Sequence, residues 1–221
     1  MITSQLDLNG WAITEVPLPF DAASALREQI FSKGEAGTRC LLDVPQVAAA
    51  ARNVRVDLAR QGVLATDAVA VQAIAFDKTP EANWKVTWHQ DVMFPFASAV
   101  HAAGYDLATK KDGVDYARPP RSVLERMLAV RVHLDDCDAT NGPLRVSPGS
   151  HTSGILRSSE IDAAIQRQGE TQCLARAGDA LLMRPLLLHA SSPAIAPKHR
   201  RVLHVVYYSG DPTTEQWYRA V

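Results

Sequence analysis

Thr87-Trp88-His89-Gln90-Asp91, continued by Val92-Met93-Phe94, is the stretch on which the reading of this chain turns. If it is extended, His89 and Asp91 project from one face, because successive side chains of a strand point to opposite sides. Thr87 and Met93 share that face, while Trp88, Gln90 and Val92 take the other. An imidazole and a carboxylate so placed can grip one metal ion together, but they form only half of a ligand set. The apolar run Leu181-Leu182-Met183-Arg184-Pro185-Leu186-Leu187-Leu188 ends in His189, the obvious third donor. A lone His-x-Asp fits a half-exposed edge strand equally well, so its surroundings have to decide.

Two histidines and one carboxylate with coordination positions left open are the donor set of non-haem Fe(II) oxygenases. Past His189, Arg200 and Arg201 open the strand Val202-Leu203-His204-Val205-Val206-Tyr207-Tyr208. A permanent cation entering a buried strand needs an anionic partner, since an unpaired buried charge is costly. A guanidinium forks onto a carboxylate with two parallel hydrogen bonds. A metal with an inward arginine therefore fits a small dicarboxylic acid, chelated at one end and salt-bridged at the other. Alternation alone leaves open which of Arg200 and Arg201 turns inward.

The chain has 221 residues, 47% of them hydrophobic and 21% charged, ordinary for one globular domain with a substantial core. A net charge of −1 without a basic block gives nothing to attract a nucleic-acid backbone or an anionic membrane. The longest apolar run is broken by Arg184 and Pro185 and is too short to span a bilayer. The first residues lack a signal-peptide pattern. Cys40, Cys137 and Cys173 are odd in number and scattered, which argues against a disulfide framework or cysteine-zinc site. A cytoplasmic location is the expectation. The sequence assigns no oligomeric state.

One domain over 1–221 is expected, with a helical front (1–65) and a β-rich core (69–209). Prolines in Val16-Pro17-Leu18-Pro19 rule out a helix there. Asp21 is read as the N-cap of a helix from Ala22 to about Ser32, ended by Gly34. Leu41-Leu42-Asp43-Val44 reads as a short buried segment, and a second helix runs from Pro45 to Gln61. Val69 to Phe76 forms a buried strand that ends at Lys78-Thr79-Pro80. The stretch from Phe96 to Arg121 has no clear period and is expected to be a lid or substrate loop. Strands follow at Leu128–Asp135, Leu144–Val146, Thr171–Arg176, Ala180–Met183, Leu186–Ser191 and Val202–Ser209, with a helical excursion from Ser158 to Arg167. Many short strands with Gly/Pro turns after a helical front suggest a mainly β jelly roll with flanking helices.

Taken in order, Phe76-Asp77-Lys78, Asn83-Trp84-Lys85, Trp88-His89-Gln90-Asp91, Asn141-Gly142-Pro143-Leu144, Pro148-Gly149-Ser150-His151, Gly178-Asp179, His189-Ala190-Ser191 and Arg200-Arg201-Val202-Leu203 form a set. This set resembles the phytanoyl-CoA dioxygenase-like branch of the Fe(II)/2-oxoglutarate oxygenases, over about residues 70–209. The resemblance implies a double-stranded β-helix of the cupin-like kind, with Fe(II) held by His89, Asp91 and His189. It implies 2-oxoglutarate chelating the iron, its far carboxylate on Arg200, and O2 as co-reactant. Gln72 matches a family position lining the cosubstrate and substrate pocket. Lys78 and Ser191 are weaker candidates for cosubstrate contacts, and Trp84 is read as scaffold.

The implied reaction is hydroxylation of a small-molecule substrate with release of succinate and CO2. A carboxylate at Asp91 fits a hydroxylase or related oxidase rather than a halogenase, in which a small residue admits halide. The chain is short for the family, which implies trimmed loops and a small or open pocket. No feature for coenzyme A is evident, and the residues after Asp91 depart from the ectoine hydroxylase pattern. The substrate-determining segments are expected at 94–121 and 152–168. His133, His151, His199 and His204 are read as structural. The alternatives are a metal-binding jelly roll without turnover, or a cupin-type non-redox metalloenzyme working without 2-oxoglutarate.

Overall fold

The computed structural model describes residues 1–16, 18–31 and 37–221. The front of the chain carries helix α1 (Ile2–Asn9), strand β1 (Trp11–Glu15), helix α2 (Phe20–Ile30), the two-residue strand β2 (Gly37–Thr38) and helix α3 (Pro45–Arg60). There follow β3 (Val69–Lys78), β4 (Val86–His89), β5 (Phe94–Phe96), β6 (Asp106–Lys111), β7 (Val114–Arg118), the short α4 (Arg121–Leu124) and β8 (Met127–His133). The last third holds β9 (Leu144–Val146), α5 (Ser158–Gln168), β10 (Thr171–Cys173), β11 (Asp179–Met183), β12 (His189–Ser191) and β13 (Arg200–Tyr208).

These strands build a jelly roll. A six-stranded sheet runs in the order β1-β11-β8-β13-β3-β2, and a four-stranded sheet in the order β10-β9-β12-β4. All their pairings are antiparallel. Alternation along the large sheet separates two cores. Leu203, Val205 and Tyr207 of β13, with Val130 and Val132 of β8, pack outward against helical residues such as Leu26, Val54 and Leu58. Val206, Ala129, Leu181 and Met183 face inward with Val146 of the small sheet. That inner face carries the cavity, and the helices serve to cover the other.

Helix α3 begins with Pro45 at its first turn, where a missing N–H costs nothing, and buries Val47, Ala51, Val54 and Leu58 at helical spacing. It stops where Gly62 takes φ +69°, a left-handed position that glycine adopts freely.

The structure corrects four expectations. The front is not purely helical. Trp11–Glu15 pairs with Asp179–Met183 at the edge of the large sheet, and Ile2–Asn9 forms a helix the sequence reading did not name. The segment from Phe96 to Arg121 is not a loop but contains the hairpin β6–β7, whose turn residues Asp112 (φ 50°) and Gly113 (φ 81°) both take the positive φ of a tight two-residue connection. Strand β12 starts only at His189, because the chain before it turns, with Leu187 N donating to Arg184 O. The His89 strand also ends early, as described below. The expected helix end at Ser32 and Gly34, and Pro17, lie outside the described residues.

Candidate active site

His89 is the last residue of β4, and His189 the first of β12, directly opposite it in the antiparallel register. Asp91 does not reach them by continuing the strand. Gln90 leaves the ladder: its side-chain amide donates to Leu186 O (2.6 Å) and Gly154 O (2.8 Å) and accepts from Leu156 N (2.9 Å). Asp91 N then donates to Pro185 O at 2.9 Å. These bonds turn the backbone so that Asp91 Oδ1 lies 3.6 Å from His89 Nε2, and Oδ2 lies 3.6 Å from His189 Nε2. One donor atom from each of the three residues falls within 4.8 Å of the others. Thr87, expected on the metal face, is exposed instead and contributes only its carbonyl, whereas Met93 lines the cavity.

The ring nitrogens show how well this set suits a metal. His89 Nδ1 lies 2.8 Å from Thr87 O, and His189 Nδ1 lies 3.0 Å from Leu187 O. A carbonyl can only accept, so each Nδ1 carries a proton and each Nε2 is the nitrogen turned towards Asp91. Burial keeps the His189 imidazole neutral down to about 4, although Asp91 pulls the other way. For Asp91 burial acts upward, yet the imidazoles of His189, His204 and His89 and the Arg131 guanidinium outweigh it and hold the carboxyl down at about 2. At neutral pH the site therefore offers the neutral His189 nitrogen and the Asp91 carboxylate with no proton to displace, and His89 turns its Nε2 to the same point.

The donors open into a cavity of about 340 Å³ between the two sheets. From the inner face of the large sheet come Gln72, Ile74 and Phe76 of β3, Arg131 of β8, and Arg200 and His204 of β13. Ser191 and Leu144 of the small sheet line the other side, and Lys111 and Tyr116 of the β6–β7 hairpin reach the mouth. Of the two arginines opening β13, the buried Arg200 is the one in the cavity wall. It donates to Gly142 O and lies 3.4 Å from Ser191 Oγ, while its Nε has no hydrogen-bond partner among the described residues. Arg201 faces outward, forking onto Asp135 with two 2.8 Å bonds.

Lys78 sits beneath the wall, fully buried, donating to Ser191 Oγ at 2.8 Å and to Ser192 O. Burial, and then the neighbouring Arg200 charge, lower its ammonium to about 8. Trp84 lines the cavity and lies over the Lys78 ammonium. The sequence reading missed two further wall groups. His204, a structural residue on the sequence alone, has its Nε2 3.8 Å from Asp91 Oδ2, and burial followed by the Arg131 charge keeps it neutral down to about 3. Arg131, directly across the ladder from His204, was not singled out at all. A charged residue inside the apolar strand Leu128–Leu134 was the available signal.

The family profile for phytanoyl-CoA dioxygenase (PhyH) matches residues 9–202, nearly the whole of this fold and every one of these donors. The chain belongs to the phytanoyl-CoA dioxygenase family. It is thereby an enzyme of the Fe(II)/2-oxoglutarate-dependent oxygenase class. No curated protein sequence is a significant match to the chain.

Solved structures extend the family likeness to the fold. EctD from S. alaskensis, in its apoform, superposes with a TM-score of 0.66 at 18% identity, covering 94% of this chain and 75% of EctD. HygX from Streptomyces hygroscopicus, solved with nickel and 2-oxoglutarate bound, gives 0.66 at 17% identity over 99% of this chain and 90% of HygX. SnoK, an alpha-ketoglutarate-dependent carbocyclase from nogalamycin biosynthesis, gives 0.63 at 14% identity over 95% and 83%. Among the described residues, no helix is long and apolar enough to cross a membrane.

Proposed function

We propose that this family member is a 2-oxoglutarate-dependent dioxygenase that hydroxylates a small-molecule substrate, releasing succinate and CO2. The observation that carries this reading is the convergence of His89 Nε2, His189 Nε2 and an Asp91 carboxylate oxygen at the floor of one cavity. Those three residues would hold Fe(II), which with 2-oxoglutarate and O2 supplies the oxidative decarboxylation and the oxidation of the substrate C–H bond.

The chain's own residues position and enclose. Thr87 O and Leu187 O fix both ring tautomers, and Gln90 and Pro185 O fix the turn that presents Asp91. Arg200 is the residue we assign to the far carboxylate of 2-oxoglutarate, with Ser191 beside it and Gln72 further along the same wall. Lys78 acts through Ser191, holding its hydroxyl from below. The cavity lies at the small end of the roughly 300–1,000 Å³ usual for ligand pockets, which favours a compact substrate.

Anaerobic titration of the metal-free protein with Fe(II) and then 2-oxoglutarate tests the reading. A weak visible charge-transfer band is expected, lost in His89→Ala and requiring much more 2-oxoglutarate in Arg200→Ala. A folded wild type that gives no band would overturn it.

A further inference from the structure

Arg131 is a buried cation in the cavity wall that, among the described residues, pairs with no carboxylate directly; Asp91 acts on it only at longer range. Among the described residues its one hydrogen bond joins Nη1 to His204 Nδ1 at 3.2 Å, and its Nε is buried without a partner. The guanidinium stands over the Phe76 ring, 5.1 Å from its centroid. Among the described residues no carboxylate forms an ion pair with it, and burial, followed by the repulsion of Arg200, lowers its pKa to about 10, although the more distant Asp91 pulls the other way. A cation held under those conditions is expensive unless something anionic arrives to meet it.

The charges of the whole cavity point the same way. Its described lining holds four cations, Arg39, Lys111, Arg131 and Arg200, against a single carboxylate, Asp91. Arg39 at the mouth is met by Asp112 only at 4.0 Å, and both are well exposed. Asp91 is committed to the metal set. On the reading above, 2-oxoglutarate uses one carboxylate on Arg200 and the other at the metal. Arg131 is left over. It stands in the ladder row of His204, four residues and about 13 Å along β13 from Arg200, at the Asp91 end of the cavity.

We infer that the primary substrate is an anion and that Arg131 receives its carboxylate or equivalent oxyanion beside the metal site, with the cationic mouth drawing it in. This rests on the dioxygenase reading for the placement of 2-oxoglutarate. A guanidinium with unused N–H groups accepts a planar carboxylate on two bonds, whereas the corresponding amide brings no compensating charge. Arg131 is thus a specificity residue, distinct from the arginine assigned to the cosubstrate.

The test uses protein loaded with redox-inert Zn(II), with and without saturating 2-oxoglutarate. Binding of three carboxylates (acetate, benzoate, hexanoate) is compared by calorimetry and thermal shift with that of their primary amides. Wild type should prefer the carboxylate in at least one pair, and Arg131→Gln should lose that preference by about tenfold while binding 2-oxoglutarate almost unchanged. Arg131→Lys, which keeps the charge, should retain part of it. The metal-loaded Arg131→Met protein, relieved of an unpaired buried charge, should melt no lower than wild type. No preference for any carboxylate over its amide would overturn the inference. So would a tenfold weakening of 2-oxoglutarate in Arg131→Gln, which would assign Arg131 to the cosubstrate, or a large drop in melting temperature in Arg131→Met, which would make it structural. Failure of wild type to bind 2-oxoglutarate in the presence of metal would instead sink the dioxygenase reading, and the arm without 2-oxoglutarate would still judge the anion site.

Discussion

His89 and His189 face each other across two adjacent antiparallel strands, their ring centroids 4.2 Å apart and their planes at 51°. The sheet ladder itself therefore sets their separation, and the rings already stand in their donor tautomers. Little reorganisation remains for a metal to drive. Ni(II) or Mn(II) should raise the melting temperature of the metal-free protein, by about 2.7 kcal/mol of stability at a hundredfold excess over Kd. His89→Ala and His189→Ala should each abolish this gain. A shift that survives in both variants would place the ion elsewhere.

Gln90 binds no metal, yet its three bonds tie together Gly154, Leu156 and Leu186 around the turn that delivers Asp91. Gln90→Ala leaves those backbone groups unsatisfied and should cost about 1–3 kcal/mol of stability. It should also weaken metal binding by about 10–100-fold, as loss of groups orienting a ligand does. Equilibrium unfolding and metal titration read the two effects separately. Unchanged metal affinity would refute the positioning role.

The neighbours Arg200 and Arg201 should give opposite phenotypes. Arg201→Ala breaks the fork onto the half-buried Asp135 and should lower stability by about 1–3 kcal/mol while leaving the dissociation constant for 2-oxoglutarate unchanged. Arg200→Ala should raise that constant strongly, with little or no loss of melting temperature, since Arg200 is a buried cation awaiting a partner. Calorimetry on both variants decides which arginine serves the cosubstrate.

Acid should destabilise the protein before its carboxylates titrate. Burial, then Arg131 and Arg200, push the His133 imidazole down to about 3. The unfolded chain takes up that proton near 6.5, while the folded chain refuses it until about 3, so stability present above pH 6.5 drains away as the pH falls through that window. His204 and His189 behave alike. His133→Leu should flatten the fall in stability between pH 6.5 and 4 by about one proton's worth, up to about 1.4 kcal/mol per pH unit. An unaltered slope would mean that His133 is protonated in the fold.

Gly142 takes φ +64°, and a Cβ there would stand 3.0 Å from Ser192 O and 3.2 Å from Lys78 Nζ. Gly142→Ala should therefore disturb the carbonyl that accepts from Arg200, weakening 2-oxoglutarate more than metal. Equal loss of both would indicate general unfolding of the wall.

The parts legible in the sequence were those with a local period. Val69–Lys78, Met127–His133 and Arg200–Tyr208 announce themselves by apolar runs, and Pro45–Arg60 by helical spacing and its leading proline. The motif around them marks His89, Asp91 and His189 as candidate donors, but a side-chain anchor at Gln90, not strand alternation, brings Asp91 to the histidines. β1 was obscured by its brevity and the prolines after it, because its partner lies far along the chain. β6 is exposed along nearly its whole length and shows no apolar alternation, so only the Asp112-Gly113 turn could have revealed the hairpin. Arg131 and His204 were hard to assign for a different reason. A lone charge in an apolar strand marks Arg131 as unusual but names no partner, and only the register that sets it beside His204 makes the two part of the cavity wall.

The pairing of Trp11–Glu15 with Asp179–Met183 also governs when the molecule can come into being. β1 must wait for a partner strand far along the chain, and Ala70 exchanges both backbone hydrogen bonds with Val221. Contacts so distant in sequence make folding slow, since loop closure precedes any reward. The large sheet cannot be completed until β13 (Arg200–Tyr208) has been made, so its early strands spend synthesis with unpaired edges. An N-terminal fragment released early would expose β3 with neither β13 nor Val221 beside it, and aggregation of that fragment is the hazard this topology carries.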